Sequence, residues 1–128
     1  MAYQHLKISR DGCIATVTFN RPDKANALNP PHIEEIEHAA LTLRDEAVIR
    51  VVIFTGAGTH FCSGADLTDR EPEHASMVHQ RRRRRIGERC IQAIREMDQI
   101  TIAAWNGARR GASAITVGNQ HRDFALRR

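Results

Sequence analysis

The apolar run Val51-Val52-Ile53-Phe54-Thr55 decides the fold of this 128-residue chain. It is short, continuous and rich in β-branched residues, which is typical of a strand buried on both faces. Gly56-Ala57-Gly58 ends it. A second strand pattern, Ile100 to Trp105, ends at Asn106-Gly107. Such strands, separated by a helical segment, indicate an α/β fold with a parallel sheet and crossover connections.

Helical patterns precede and separate these two strands. Asn29 is a good N-cap, Pro30 suits the first helical position, and apolar residues then recur at three- and four-residue steps. A longer helical stretch runs from about Pro72 to Met97, although Gly87 weakens its middle. The apolar face of the first helix comprises Ile33, Ile36, Ala40 and Leu43, and that of the second comprises Val78, Cys90, Ile94 and Met97.

The N-terminal segment predicts a hairpin followed by a loop. His5 to Ser9 and Cys13 to Phe19 alternate between apolar and polar residues, and the intervening Arg10-Asp11-Gly12 is a strong turn signal. Asn20 to Leu28 contains a proline and several polar residues, so it cannot extend the ladder. At the other end, residues 112–117 predict the first turns of another helix. The expected order is hairpin, helix, strand, helix, strand and helix start.

Composition indicates one globular domain without a membrane span. Hydrophobic residues make up 41% of the chain, and 19 lysines and arginines against 15 acidic residues give a net charge of +4. No apolar run approaches the ~18 residues of a membrane helix, and the N-terminus lacks a signal-peptide pattern, so a cytoplasmic location is expected. Cys13, Cys62 and Cys90 have apolar neighbours and no paired spacing, which favours reduced, buried thiols over a disulfide framework.

Two strand-to-helix turns could carry chemistry. They are Phe61 to Leu67 and Asn106 to Ser113, and each places small residues where a helix is expected to begin. Free backbone N–H groups there could approach a ligand, and two converging turns would form an oxyanion hole. The alternative is that the small residues only allow close packing of strand and helix.

Three motifs in register give the chain a family resemblance. Asn20-Arg21-Pro22 through Asn26-Ala27-Leu28, then Gly64-Ala65-Asp66-Leu67, then Ile102 to Gly107, resemble the N-terminal half of the enoyl-CoA hydratase/isomerase, or crotonase, family. The likeness covers about residues 3–118. It implies an α/β fold of stacked ββα units in a spiral core, and assembly into homotrimers or hexamers. It also implies an acyl-CoA substrate, with hydration or double-bond isomerisation, a lyase or isomerase reaction of fatty acid metabolism, as the inherited chemistry.

The resemblance assigns site residues one by one. The backbone N–H groups of Ala65 and Ala112 match the oxyanion-hole positions that hold the thioester carbonyl. Coenzyme A enters as part of the substrate, and no resident cofactor or metal is implied. The matched lining of the coenzyme A and acyl channel comprises Lys24, Ala25, Ala27, Leu28, Ala65, Asp66, Leu67 and Thr68.

Departures from the family pattern predict impaired turnover. Ile115 stands where hydratases of the family carry a glutamate, and isoleucine cannot move a proton. Gly111-Ala112-Ser113 replaces a triple glycine, and Arg109-Arg110 precedes it. The domain is expected to span 1–118, with a divergent tail at 119–128, because the tail is polar where the family has an apolar helix. Family members are longer chains, so we expect a truncated form, a fragment, or a degenerate copy with an altered end.

Other readings of the site residues remain open. The seven histidines show no metal-ligand spacing, Ser63 lies outside a GxSxG motif, and Asp66 could simply cap a helix. Trp105 is expected in the core or the channel wall. The alternatives to an acyl-CoA enzyme are a non-catalytic module that keeps the cleft or a subunit interface, and a binder of acidic polymers.

The basic run Arg81–Arg85 is the feature that would serve such a binder. Because five successive helical residues span all faces, at least one arginine must point toward the protein or a neighbouring subunit. The run could be a solvated surface, a contact to coenzyme A phosphates or to an acidic subunit surface, or a nucleic-acid site. It lacks interleaved aromatic residues, so nucleic acid is not expected as a partner.

Overall fold

The computed structural model describes residues 2–66, 68, 75–109 and 122–125, with only the backbone for 108–109 and 122–125. Five strands form the main sheet, in the order β1-β2-β3-β5-β7, and β4 pairs with β6 in a small second sheet. The strands are β1 Leu6–Asp11, β2 Ile14–Phe19, β3 Val51–Gly56, β4 His60–Cys62, β5 Ile100–Trp105, β6 Ala108–Arg109 and β7 Arg122–Ala125. The helices are α1 Pro30–Arg44 and α2 Met77–Arg95, and a single 3₁₀ turn spans Pro22–Lys24.

The N-terminal hairpin is confirmed, with a shorter turn than expected. β1 and β2 pair antiparallel from Leu6 opposite Phe19 to Asp11 opposite Ile14, so Gly12 and Cys13 alone form the turn. Gly12 has φ +57, a conformation that glycine adopts without steric cost. Cys13 is exposed there, so the expectation that all three thiols are buried is wrong for this residue.

Parallel pairing and crossover helices confirm the α/β expectation. β2 pairs parallel with β3, and β3 pairs parallel with β5. α1 connects the first of these pairs and α2 the second, and right-handed crossovers in the same direction place both helices on one face of the sheet. Asn29 caps α1 as predicted, since its side-chain oxygen accepts from the His32 N–H at 2.9 Å.

The core lies between the sheet and the two helices. Val17, Val52 and Phe54 are fully or almost fully buried against Ile36 and Ile94 from the helices. The neighbouring residues of β3, by contrast, are only half-buried, so its expected burial on both faces is wrong. The reason is that both helices cover the same face.

Helix α2 departs from its predicted apolar stripe in its first half. Cys90 and Ile94 are buried, whereas Val78 is 61% exposed. Ser76 caps the helix by accepting from the His79 N–H at 3.2 Å. Of the described helices, none combines the length and the apolar character that crossing a membrane requires.

The segment predicted as a divergent tail contributes a strand. β7 pairs parallel with β5, with Arg122 opposite Ile102 and Ala125 opposite Trp105. The division of the chain at residue 118 stays a prediction. The helix start expected within 112–117 lies outside the described residues.

Candidate functional site

The candidate site lies where the parallel strands of the main sheet end. The loop after β2, the turn after β3 and the turn after β5 all leave the sheet at its carboxyl edge. Ligand sites in open α/β sheets form at this edge because successive loops meet there.

Two asparagine side chains tie these loops together. The amide nitrogen of Asn26 donates to the carbonyl oxygens of Ala57 and His60 at 2.9 and 2.7 Å. Asn106 makes a matching set, because its amide nitrogen donates to the Gly56 carbonyl at 2.7 Å and its side-chain oxygen accepts from the Gly56 N–H at 3.2 Å. The turn after β3 is therefore held from both neighbouring loops.

The loop after β2 has an unusual backbone that the buried Asn26 stabilises. Ala25 and Asn26 have φ of 52 and 56, in the left-handed region that residues other than glycine seldom adopt. Asn26 is fully buried, and its side-chain oxygen accepts from the Arg21 N–H at 2.8 Å. This geometry directs the next residues, Ala27 and Leu28, alongside Gly64.

Leu28 and Ala65 form an isolated parallel bridge. The Leu28 N–H donates to the Gly64 carbonyl at 2.8 Å, and the Leu28 carbonyl accepts from the Asp66 N–H at 2.9 Å. In a trans peptide the carbonyl and the N–H point in opposite directions. Since the Gly64 carbonyl faces Leu28, the N–H of Ala65 faces away from it.

Ala65 lies at the surface of the described part of the chain. It is exposed, whereas its neighbours Gly64 and Asp66 are buried. Within the described ranges, no group accepts a hydrogen bond from the Ala65 N–H. Gly64 has φ +94, which a side chain would make strained. The backbone thus holds one directed donor at an exposed residue, as an oxyanion site requires.

Asp66 and Arg21 form a buried ion pair next to that donor. An Arg21 guanidinium nitrogen lies 3.1 Å from the Asp66 carboxylate, and the two side chains are 13% and 6% exposed. The Thr68 N–H and hydroxyl donate to the other carboxylate oxygen at 2.9 and 2.6 Å. These bonds from Thr68, and then the contact with Arg21, lower the pKa of Asp66 to about 2 despite burial. Asp66 is thus an ionised structural anchor, and the described residues do not place a helix behind it to cap.

The predicted channel residues divide into three groups in the structure. Ala25, Ala27 and Leu28 lie directly beside the Ala65 segment, and the Ser63 N–H donates to the Ala25 carbonyl at 3.1 Å. Lys24 and Thr68 are exposed at the edge. Leu67 and Ala112 lie outside the described residues, as does Ile115.

The two predicted ligand-binding turns begin side by side. β4 precedes Ala65 and β6 follows Gly107, and these strands pair parallel, with His60 opposite Ala108 and Cys62 opposite Arg109. Gly107 makes this approach possible, because a Cβ on it would lie 1.9 Å from the Thr59 carbonyl oxygen. The glycine of the Asn106-Gly107 turn thus has a packing role that the sequence alone does not reveal.

The basic run of α2 lies mainly in solvent. Four of its five arginines are exposed and Arg83 is half-buried, as expected for successive positions of one helix. Arg82, Arg85 and Arg89 line a cavity of about 290 Å³ together with Glu34 of α1. Arg89 also lies 3.5 Å from the Glu37 carboxylate, so the basic surface is partly neutralised by α1.

Sequence reasoning missed the side chains that support the site. Arg21, Asn26 and Asn106 lie in the quoted motifs, but their bonds join residues that are distant in the chain. The one sequence feature that could have indicated these supporting side chains is that they are polar residues in motifs made otherwise of small or apolar residues. In the part of the chain that the structure describes, no three histidine, cysteine or acidic side chains gather as a metal site would need.

Trp105 is partly buried against the core.

Comparison with known proteins matches the same stretch of chain. The model of the enoyl-CoA hydratase/isomerase family matches residues 9–115. The chain is 31% identical over 108 residues to a crotonyl-CoA hydratase of Syntrophomonas wolfei, covering 84% of this chain and 41% of that protein. It is 29% identical over 108 residues to a short-chain-enoyl-CoA hydratase of Clostridium acetobutylicum, with the same coverage of 84% and 41%.

The fold matches solved structures of the same kind. The crystal structure of an enoyl-CoA hydratase from Bacillus anthracis superimposes with a TM-score of 0.79 at 29% identity, covering 88% of this chain and 44% of that one. The predicted crotonase-like α/β fold is therefore confirmed. The chain spans less than half the length of these relatives.

Proposed function

Because the chain belongs to the enoyl-CoA hydratase/isomerase family, we propose that it binds an acyl-CoA thioester by donating the Ala65 N–H to the thioester carbonyl oxygen. The observation that carries this proposal is the directed N–H of the exposed residue Ala65, held by the Leu28 bridge. Residues Ala25, Ala27 and Leu28 form one wall beside it. Ala112 is the second donor by resemblance.

Stabilising the charge on the thioester carbonyl oxygen needs little beyond the backbone. Removing a proton next to a thioester, or adding a nucleophile to its conjugated double bond, places negative charge on the carbonyl oxygen. A fixed N–H aimed at that oxygen stabilises the charge and costs no reorganisation when it develops. One well-placed donor contributes about 3 kcal/mol to such a transition state.

Proton transfer is where the chain departs from its relatives. Hydration needs a base to activate water and an acid to deliver a proton, and each contributes about 10²- to 10⁴-fold. By the family resemblance, Ile115 stands where hydratases of the family carry a glutamate. We therefore propose that hydration or double-bond isomerisation is the inherited reaction class and that turnover is impaired while binding persists.

The test compares two ligands that differ only at the carbonyl. Calorimetry measures the affinity of the chain for crotonyl-CoA and for a thioether of coenzyme A in which a methylene replaces the carbonyl. We expect the thioester to bind about 5- to 50-fold more tightly, the equivalent of one to two hydrogen bonds. Equal affinities would refute the carbonyl contact, and absence of any binding would favour a non-catalytic structural module.

An activity assay on the same preparation tests the second half of the proposal. We expect crotonyl-CoA hydration to be slower by several orders of magnitude than in an intact hydratase assayed beside it. Ile115→Glu alone is expected to restore little, because the reaction needs a second proton-transfer group. Rapid hydration by the unmodified chain would show that another residue moves the proton.

A further inference from the structure

We infer that Arg21, paired with Asp66, is a positioning residue for the Ala65 N–H: it clamps the loop after β2 onto the Ala65 segment and cancels a carboxylate charge beside the donor. This inference rests on the proposed acyl-CoA function.

Arg21 joins the two chain segments that form the Leu28–Ala65 bridge. One guanidinium nitrogen donates to the Ala27 carbonyl at 2.6 Å, and another donates to Asp66 at 3.1 Å. Ala27 directly precedes Leu28, and Asp66 directly follows Ala65. A planar guanidinium holds its donors in a rigid arrangement and so fixes the separation of two acceptors, whereas the donors of an ammonium group rotate. Arg21 therefore fixes the spacing of the two segments on which the direction of the Ala65 N–H depends.

Asp66 is fixed through its backbone and its side chain together. Its N–H donates to the Leu28 carbonyl at 2.9 Å, and its two carboxylate oxygens accept from Thr68 and Arg21. The peptide between Ala65 and Asp66 is thus restrained on both sides.

The charge of the pair matters as well as its geometry. The Asp66 carboxylate is buried one residue from the proposed donor. An unpaired negative charge at this place would repel the negative charge that develops on a bound thioester oxygen, and burial would leave that repulsion poorly screened. Arg21 removes the repulsion.

These two roles predict an asymmetry between the two partners. Arg21→Gln removes the guanidinium bonds to Ala27 and Asp66 and leaves the buried carboxylate uncompensated. The Ala65 N–H then loses its alignment, and a negative charge beside it repels the thioester oxygen. Asp66→Asn keeps an acceptor oxygen for Thr68 or Arg21 and leaves no negative charge. A pair that only held the fold together would show no such difference, because removing either partner leaves a buried group unpaired.

The experiment measures thioester discrimination, the ratio of thioether to crotonyl-CoA dissociation constants, for each variant. We expect Arg21→Gln to lower this ratio to within about twofold of unity, and Asp66→Asn to lower it by a smaller factor, because Arg21 still holds the Ala27 carbonyl and no carboxylate charge remains. Arg10→Gln is the matched control, because Arg10 pairs with Glu46 at the surface. Its ratio is expected not to change.

Several results would overturn the inference. An unchanged ratio in folded Arg21→Gln, or an equal loss in Asp66→Asn, would show that the pair does not act on the donor. If Arg21→Gln does not fold, Arg21→Lys provides the test, because lysine keeps the positive charge but lacks the planar donors of the guanidinium group. A lower ratio in Arg21→Lys supports the positioning role, and an unchanged ratio refutes it. Absence of discrimination in the unmodified chain would refute the proposed function and this inference together, whereas discrimination that survives in Arg21→Gln refutes the inference alone.

Discussion

The Leu28 N–H donates to the Gly64 carbonyl oxygen at 2.8 Å, and this contact sets the direction of the next N–H along the chain. A trans peptide that offers its carbonyl to one side must offer its N–H to the other. The donor of the candidate site is therefore positioned from the N-terminal loop, 37 residues earlier in the sequence than Ala65. Changes in the loop after β2 that break this contact are expected to redirect the Ala65 N–H and so to weaken ligand binding.

Acid is expected to destabilise the fold through the buried His32. Its Nδ1 lies 3.3 Å from the Ala27 carbonyl oxygen and so carries the proton, while Nε2 is buried without a hydrogen-bond partner among the described residues. Burial lowers the pKa of His32 from 6.5 to about 4. The unfolded chain binds this proton first, so stability is full above pH 6.5 and falls as the pH drops toward 4.

The loss attributable to this histidine is about 2 to 3 kcal/mol between pH 7 and pH 4.5. Urea unfolding across this range measures it. His32→Leu removes the titrating group, and Arg21 still donates a hydrogen bond to the Ala27 carbonyl. This variant should therefore lose less stability on acidification than the unmodified chain. His79→Gln, at an exposed position of α2, is the control. An identical pH dependence in His32→Leu and the unmodified chain would contradict the assignment.

Two glycines are predicted to respond to alanine in opposite directions. Gly87 lies within α2, and nothing lies within 4 Å of the Cβ that an alanine would add. Gly87→Ala should therefore raise the free energy of unfolding by about 0.5 to 1 kcal/mol. Gly107→Ala should lower it, because the new Cβ would meet the Thr59 carbonyl oxygen. Denaturant unfolding of both variants gives the comparison, and a stabilised Gly107→Ala would contradict the close approach of the two turns.

Assembly is predicted to involve the sheet face opposite the helices. Ile14, Val51 and Ile100 are register partners on three adjacent strands, and Ile100 is 59% exposed. Apolar rows of this kind bury themselves against a partner. We expect sedimentation to show an oligomer, and Ile100→Lys to shift it toward monomer. Leu41→Lys, on the helix layer, is the control, and a stable monomer at micromolar concentration would contradict the prediction.

Nucleic-acid binding by the arginine run is predicted to be weak and steeply dependent on salt. The exposed arginines of Arg81–Arg85 can neutralise phosphates, but binding of this kind falls as counterions compete. Fluorescence anisotropy with a labelled duplex should therefore show affinity at about 50 mM salt that is largely lost at about 200 mM. Tight binding that persists at the higher salt concentration would favour the acidic-polymer function over the acyl-CoA function.

The sequence was most informative where one local rule decides the structure. Asn29 followed by Pro30 predicted the start of α1, and the apolar run from Ile100 predicted β5 with its observed bounds. The prediction from the sequence was wrong where the burial of a residue depends on which face of the sheet the helices cover. The half-buried outer face of β3 follows from the placement of α1 and α2 on the same side, whereas Val78 is exposed because only the second half of α2 reaches the core.

The candidate site was predictable in its small residues and not in its supporting contacts. The motif resemblance proposes Ala65, and the structure brings the Ala25–Leu28 segment beside it. The ion pair of Arg21 and Asp66 joins residues far apart in the chain. This ion pair forms only in the folded chain, and neither the motif around Arg21 nor the motif around Asp66 indicates its partner.

The most direct measurement of the central claim observes the Ala65 amide itself. The chain is labelled with ¹⁵N-alanine, and amide proton shifts are recorded as crotonyl-CoA or the matched thioether of coenzyme A is added. Ala39 and Ala40, buried in α1, serve as internal references. The predicted result is a downfield shift of the Ala65 amide proton with the thioester that the thioether does not reproduce. Binding of the thioester with an Ala65 shift no different from that given by the thioether would contradict the account.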